Sequence, residues 1–175
     1  MPEEDYMVDI SGKIEKIKEM IDRRCYFTIN CARQYGKTTT LAMLERVLKD
    51  DYLMVFISFE GLGDESFATS AAFCEVFMKL IQKAMRFIYH EAGFVEAWYD
   101  PNVKDFASLS GHITKMCEAQ KIVLMVDEVD KASNNAVFLH FLSMLREKFL
   151  ARKRNADYTF HSVILAGVYD IKTSN

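Results

Sequence analysis

The chain has 175 residues, half of them hydrophobic and 13% aromatic, with a formal net charge of −3. That length and apolar content describe one domain with a sizeable core and exclude intrinsic disorder. The near-neutral charge excludes a global field that draws the whole protein to nucleic acid or an anionic membrane, although a local patch is still free to do so. No apolar run reaches membrane-spanning length.

Residues 1–9 are polar apart from a short apolar patch, Tyr6-Met7-Val8. A helix follows, because Ile10, Ile14, Ile17 and Ile21 recur at helical spacing while charged residues cover the other face. The first strand is predicted at Tyr26–Asn30. It runs into Cys31-Ala32-Arg33-Gln34-Tyr35-Gly36-Lys37-Thr38-Thr39-Thr40, and a helical pattern through Leu41, Leu44, Val47 and Leu48 comes next. Strand, tight turn, Gly-Lys-Thr, helix is the context a phosphate-binding loop requires. Helix N-terminal amides and successive turn amides together form an anion nest. Gly36 permits close backbone approach, Lys37 supplies a mobile cation for the outer phosphates, and Thr38 offers a hydroxyl to Mg²⁺. The full signature opens with glycine five residues before Gly36, where this chain has Cys31. A chance turn is therefore the competing reading of the loop taken alone.

A second strand is predicted at Tyr52–Phe59, rich in β-branched and aromatic residues, ending in Glu60-Gly61. Glu60 reads as a turn residue, with a place facing a nucleotide as the alternative. Phe67 to about Glu91 reads as one long core helix, and Gly93 to Pro101 as an irregular connection. A further helix starts at Asp105 or Ser108 and reaches Ala119, carrying His112 as a packing or solvent-facing residue. The apolar run Ile122–Val126 suits a buried parallel strand and ends in Asp127-Glu128.

Parallel sheets place functional residues at strand carboxyl ends. Asp127 is thus positioned to hold Mg²⁺, and Glu128 to polarise an attacking water. Helix-capping acids in a polar turn are the alternative for this pair by itself. In this order and about ninety residues apart, the loop and the acidic pair together point to a nucleoside triphosphatase. Asp130 and Lys131 read as a solvated turn, or else as residues that tune catalysis. Ser133 is the expected N-cap of a helix from about Asn134 to Leu150, and Phe160–Ala166 is the fourth strand. Arg146, Lys148, Arg152, Lys153 and Arg154 form the dense basic cluster. It reads as cations suiting a helix end, as a nucleic-acid contact, or as a finger for a neighbouring subunit's nucleotide.

The Gln-Tyr-Gly-Lys-Thr-Thr-Thr-Leu and Val-Asp-Glu-Val-Asp-Lys stretches resemble those of bacterial AAA-like P-loop ATPases, in the division whose catalytic Glu follows the metal-holding Asp. They are closer to the archaeal-type and signal-transduction ATPases than to hexameric unfoldases. The resemblance runs from Tyr6 to Asp170. It implies an α/β three-layer sandwich with a mainly parallel sheet, strand four lying between strands one and three, and strand two beyond strand three. It implies ATP or ADP with Mg²⁺ as ligands. Ala32, Arg33, Gln34, Tyr35, Gly36, Lys37, Thr38 and Thr39 would bind the nucleotide, Thr38 and Asp127 the metal, and Lys37 and Glu128 would serve catalysis. A γ-phosphate sensor is expected near Tyr169 or Asp170. Members tend to continue into a fifth strand, a helical lid and further domains, so residues 1–175 are expected to be the N-terminal core of a longer protein.

Adenine over guanine follows from the resemblance, since the sequence has no guanine-reading Asn-Lys-x-Asp. A switch with little turnover and a nucleic-acid scaffold are the alternatives to a motor, with a homo-oligomer as one assembly and no membrane contact. Cys25, Cys31, Cys74 and Cys117 are scattered without a Cys-x-x-Cys pair, which argues against structural zinc or a disulfide framework. With an acidic N-terminus unlike a signal peptide, the expected compartment is the cytoplasm.

Overall fold

The computed structural model describes residues 14–30, 37–88 and 98–167, and the side chains of residues 30, 37–40, 87 and 88 lie outside that description. Helix α1 covers residues 14–22. It is followed by β1 (Tyr26–Asn30), α2 (Lys37–Leu48), β2 (Leu53–Ser58), α3 (Ser70–Ile88), α4 (Phe106–Ala119), β3 (Ile122–Asp127), α5 (Ala136–Lys153) and β4 (Ser162–Gly167). The four strands form one sheet in the order β1-β4-β3-β2, every pair parallel. The implied three-layer α/β sandwich and its strand order are therefore what the chain adopts.

Period-two alternation divides the two faces. Leu53, Val55 and Ile57 of β2 and Ile122, Leu124 and Val126 of β3 face one core, shared with α3, α4 and α5. Met54, Val123, Met125 and Ile164 face the other, shared with α1 and α2. All six residues of β3 are buried, as a central strand covered on both sides requires. The larger core is built on phenylalanine. Phe73 meets the rings of Phe67, Phe77, Phe106, Phe138 and Phe141 at centroid distances of 4.9–6.4 Å. Truncating so central a ring to alanine costs about 3–5 kcal/mol. The predicted stripe on α3 faces the core, with Phe73, Phe77 and Ile81 buried and Val76, Leu80 and Ala84 half-buried.

Local chemistry sets the helix starts. Asp105 caps α4 by accepting the Ser108 N–H at 2.7 Å, and Ser108 Oγ accepts the Asp105 N–H at 3.1 Å, so both predicted starting residues take part in one capping box. The expected Ser133 cap is corrected. A 3-10 turn, Val129–Ala132, lengthens the connection, and Asn135 caps α5 by accepting from the Phe138 N–H at 3.0 Å. Ser133 instead donates its hydroxyl back to the Asp130 carbonyl at 2.9 Å. The Tyr6–Val8 patch, Ile10, the connection 31–36 and Val168–Asp170 lie outside the described residues.

Candidate functional site

Because all four strands run the same way, their carboxyl ends share one edge. Asn30, the last residue of β1, pairs with Gly167 of β4, and Ile29 pairs with Ala166. On the other side of β4, Val126 pairs with Leu165, which sets Asp127 level with Ala166 and Ile29. Two inter-strand spacings separate β1 from β3, about 10 Å. β1, which precedes the loop sequence, ends on this edge, and so does β3, at Asp127. Helix α2 opens at Lys37, so Lys37, Thr38 and Thr39 occupy its first turn. Ala32, Arg33, Gln34, Tyr35 and Gly36 lie outside the described residues, as do the side chains of Lys37, Thr38 and Thr39.

Asp127 is buried and held from two sides. Its Oδ1 accepts the Glu128 N–H at 2.8 Å, and its carbonyl accepts the Phe59 N–H at 3.0 Å. Phe59 is itself locked into the aromatic core against Phe138, with centroids 5.4 Å apart, so packing behind the edge fixes the backbone that carries the carboxylate. Glu128 has φ 60° and ψ 40°, the left-handed region that L side chains disfavour. Such conformations persist where the surroundings over-determine them, and they gather at functional sites. Here the chain must leave a buried strand and enter the 3-10 turn within one residue.

That turn carries Asp130, read from the sequence as a solvated turn residue or one that tunes catalysis; it is half-buried. Its Oδ1 is buried with no hydrogen-bond partner. It lies against the tip of β4: a Cβ built on Gly167 would come within 2.9 Å of Asp130 Oδ1 and 3.3 Å of Asp130 N. Any larger residue here would require Asp130 to shift. Sequence reasoning missed the contact, although a glycine closing the apolar run Val163–Ala166 was a signal for close backbone approach. Glu60 is an exposed turn residue, its N–H bonded to Ser58 Oγ at 3.1 Å, as read.

A nucleotide with its divalent cation is tested by these same features. Asp127 offers the hard oxygen that Mg²⁺ prefers. Among the described residues no group of three or more His, Cys, Asp or Glu gathers to hold a metal. Mg²⁺ usually draws most of its ligands from phosphate and water, so a single carboxylate among the described residues is compatible with it. The orphaned Asp130 oxygen and the glycine beside it add a dry acceptor where bound water could settle. The residues fit the group.

The basic cluster is broken up by the fold. Lys148 is buried on the inner face of α5, donating to Ser110 O at 2.9 Å, Thr114 Oγ1 at 2.6 Å and Asp157 Oδ2 at 2.9 Å. Arg152 donates to the Phe160 carbonyl at 2.7 Å, and burial holds its pKa below the ordinary value. Arg146, Lys153 and Arg154 remain on the surface. His112 is buried, its Nε2 2.8 Å from the Trp98 carbonyl, and is a packing residue.

The parallel sheet with helices on both faces is the fold of AAA-like P-loop ATPases. The chain belongs to the AAA-like domain family, whose sequence profile matches residues 6–170. Among solved structures it is similar to a chain of Drosophila ORC bound to AT-rich DNA and Cdc6, with TM-score 0.55 and 12% identity, covering 98% of this chain and 27% of that one. It is similar also to Aeropyrum pernix ORC2, solved in ADPNP and ADP complexes, with TM-score 0.51 and 12% identity, covering 92% of this chain and 41% of that one. At such identity the likeness is one of fold, and the chain spans well under half the length of either. No curated protein matches it. Among the described residues, no helix is long and apolar enough to cross a membrane.

Proposed function

We propose that this domain binds ATP with Mg²⁺ and hydrolyses it, and that the resulting change of state is passed to further domains or partners. The observation that carries the reading is the shared edge: the β1 end that feeds the Gly36-Lys37-Thr38 sequence and the β3 end that carries Asp127 and Glu128 stand about 10 Å apart across β4. Lys37 and the α2 N-terminus would bind the outer phosphates. Thr38 and Asp127 would hold the cation, which neutralises charge on the phosphates when bound. Glu128 would orient a water and take its proton. Phosphoryl transfer asks mainly for positioning and charge neutralisation, and these groups supply both.

Calorimetric titration of ATP, with and without Mg²⁺, into wild type and Lys37→Ala tests the site. Binding is expected in wild type and absent in Lys37→Ala; equal binding by the two would refute it. Glu128→Gln is expected to bind ATP and lose turnover. ATP-versus-ADP discrimination with negligible turnover in wild type would instead identify a switch. A nucleic-acid contact would have to use Arg146, Lys153 and Arg154, since Lys148 is buried in its pair with Asp157.

A further inference from the structure

The turn after β3 holds a group that the motifs do not account for. Asp130 Oδ1 is sealed from solvent and accepts nothing, although three residues earlier Asp127 satisfies its Oδ1 with a backbone N–H. A buried carboxylate oxygen without a donor is unfavourable in the isolated domain, and native structures keep few such groups. Its surroundings do not relieve it. Gly167 has no side chain to donate, and the Asp130 carbonyl, not the side chain, receives the Ser133 hydroxyl and N–H. Nor does a lysine or arginine among the described residues pair with it.

We infer that Asp130 is a positioning residue of the loaded site, its Oδ1 accepting a hydrogen bond from water held by the bound nucleotide and its cation. This rests on the nucleotide reading above. Location and chemistry select the donor. The oxygen lies between the tips of β3 and β4, two residues beyond Glu128 and against the residue that pairs with Asn30. A phosphate oxygen is an acceptor and carries like charge, so it cannot be the direct partner. Water polarised by a divalent cation is a donor, and it is available only when the site is loaded. Loading would then satisfy Asp130 and fasten the turn that carries Glu128 to the tip of β4. The empty domain is left with the unmet acceptor, so emptiness and occupancy differ in the stability of this one turn.

The test compares Asp130→Asn and Asp130→Ala with wild type in two readouts, neither of which is turnover. One is the melting temperature of the nucleotide-free protein. The other is calorimetric affinity for a non-hydrolysable ATP analogue, with and without Mg²⁺. Both variants are expected to melt at or above the wild-type temperature when empty, and to bind the Mg²⁺-loaded analogue about tenfold more weakly or worse, as loss of a charge-assisted hydrogen bond implies. Metal-free binding should stay at the wild-type value. A lower melting temperature in the empty state, failure of both variants to fold, or unchanged affinity in Mg²⁺ would overturn the inference. Lys37→Ala in parallel separates the two levels of the argument. If it abolishes binding while the Asp130 variants match wild type, only the role of Asp130 fails. If it binds as wild type does, the nucleotide reading itself fails.

Discussion

Replacing Glu128 by glycine and, separately, by alanine divides what its side chain does from what its backbone does. Both changes remove the carboxylate and every contact it makes, so both should abolish turnover; general-base groups typically contribute about 10²–10⁴-fold. They differ only in the backbone. At φ 60° and ψ 40°, alanine carries the left-handed penalty and glycine does not. That penalty is roughly 1–2 kcal/mol, and the greater unfolded-state freedom of glycine returns about 0.5–1 of it. Glu128→Gly should therefore be more stable than Glu128→Ala by roughly 1 kcal/mol. For a domain of 175 residues this is about 2–4 °C in melting temperature. Thermal unfolding followed by circular dichroism, with urea titration as a second measure, reads the difference directly. Equal stability would mean that the turn is not held left-handed in solution, and the argument that Asp127 and the 3-10 turn impose it would fail.

Three further outcomes follow from the packing. Lys148→Met should destabilise the domain by about 3 kcal/mol, the lower end for breaking a buried pair, since Asp157 keeps its bonds from Thr114 and the Tyr158 N–H; a shift under 2 °C in thermal unfolding would contradict this. His161 is buried and pushed down to about 4, chiefly by burial, with Arg24, Arg152 and Lys121 adding to the fall against the Ile21 backbone bond. Its folded value lies below the unfolded 6.5, so the unfolded chain binds the extra proton. Stability should therefore be full above pH 6.5 and decline as pH falls toward 4, by on the order of 2–3 kcal/mol. His161→Phe should flatten that part of a urea-denaturation pH profile, and an unchanged slope would reject the assignment. Gly167→Ala should cost about 1–3 kcal/mol, because its methyl meets Asp130 at 2.9 Å, and Asp130→Ala in the same chain should recover part of the loss in a double-mutant cycle.

The strands were legible because their chemistry is local. Ile122–Val126 is apolar without a break, and a strand covered on both faces needs nothing else. That Asp127 stands at a strand carboxyl end followed from reading the sheet as parallel; its nearness to the end of β1 came with the strand order. Strand order did not follow from periodicity; it came with the family resemblance, since no pattern within Tyr26–Asn30 says that Ser162–Gly167 will lie beside it. The cap of α5 was misplaced by two residues, because a 3-10 turn between Glu128 and Ser133 depends on where β3 releases the chain. Lys148 looked like a surface cation for a plainer reason. Whether a lysine on a mostly apolar helix points in or out is decided by its partners, and Ser110, Thr114 and Asp157 are distant in sequence or beyond the helix end. Asp130 read as a turn residue or one that tunes catalysis, but its close approach to Gly167 was not legible, because Gly167 is distant in sequence.

The sheet order has a consequence for the birth of the protein. Among the described strands, β1 hydrogen-bonds only to β4, more than a hundred residues later in the chain, while β2 and β3 can pair as soon as Asp127 is made. Closing so long a loop is the slow kind of contact. On the ribosome, the strand that anchors the Gly36-Lys37-Thr38 sequence is synthesised first and finds its neighbour last. The half of the sheet carrying the acidic pair can be assembled while β1 waits, and a nascent chain released before Ser162 lacks the described strand on which Tyr26–Asn30 seats.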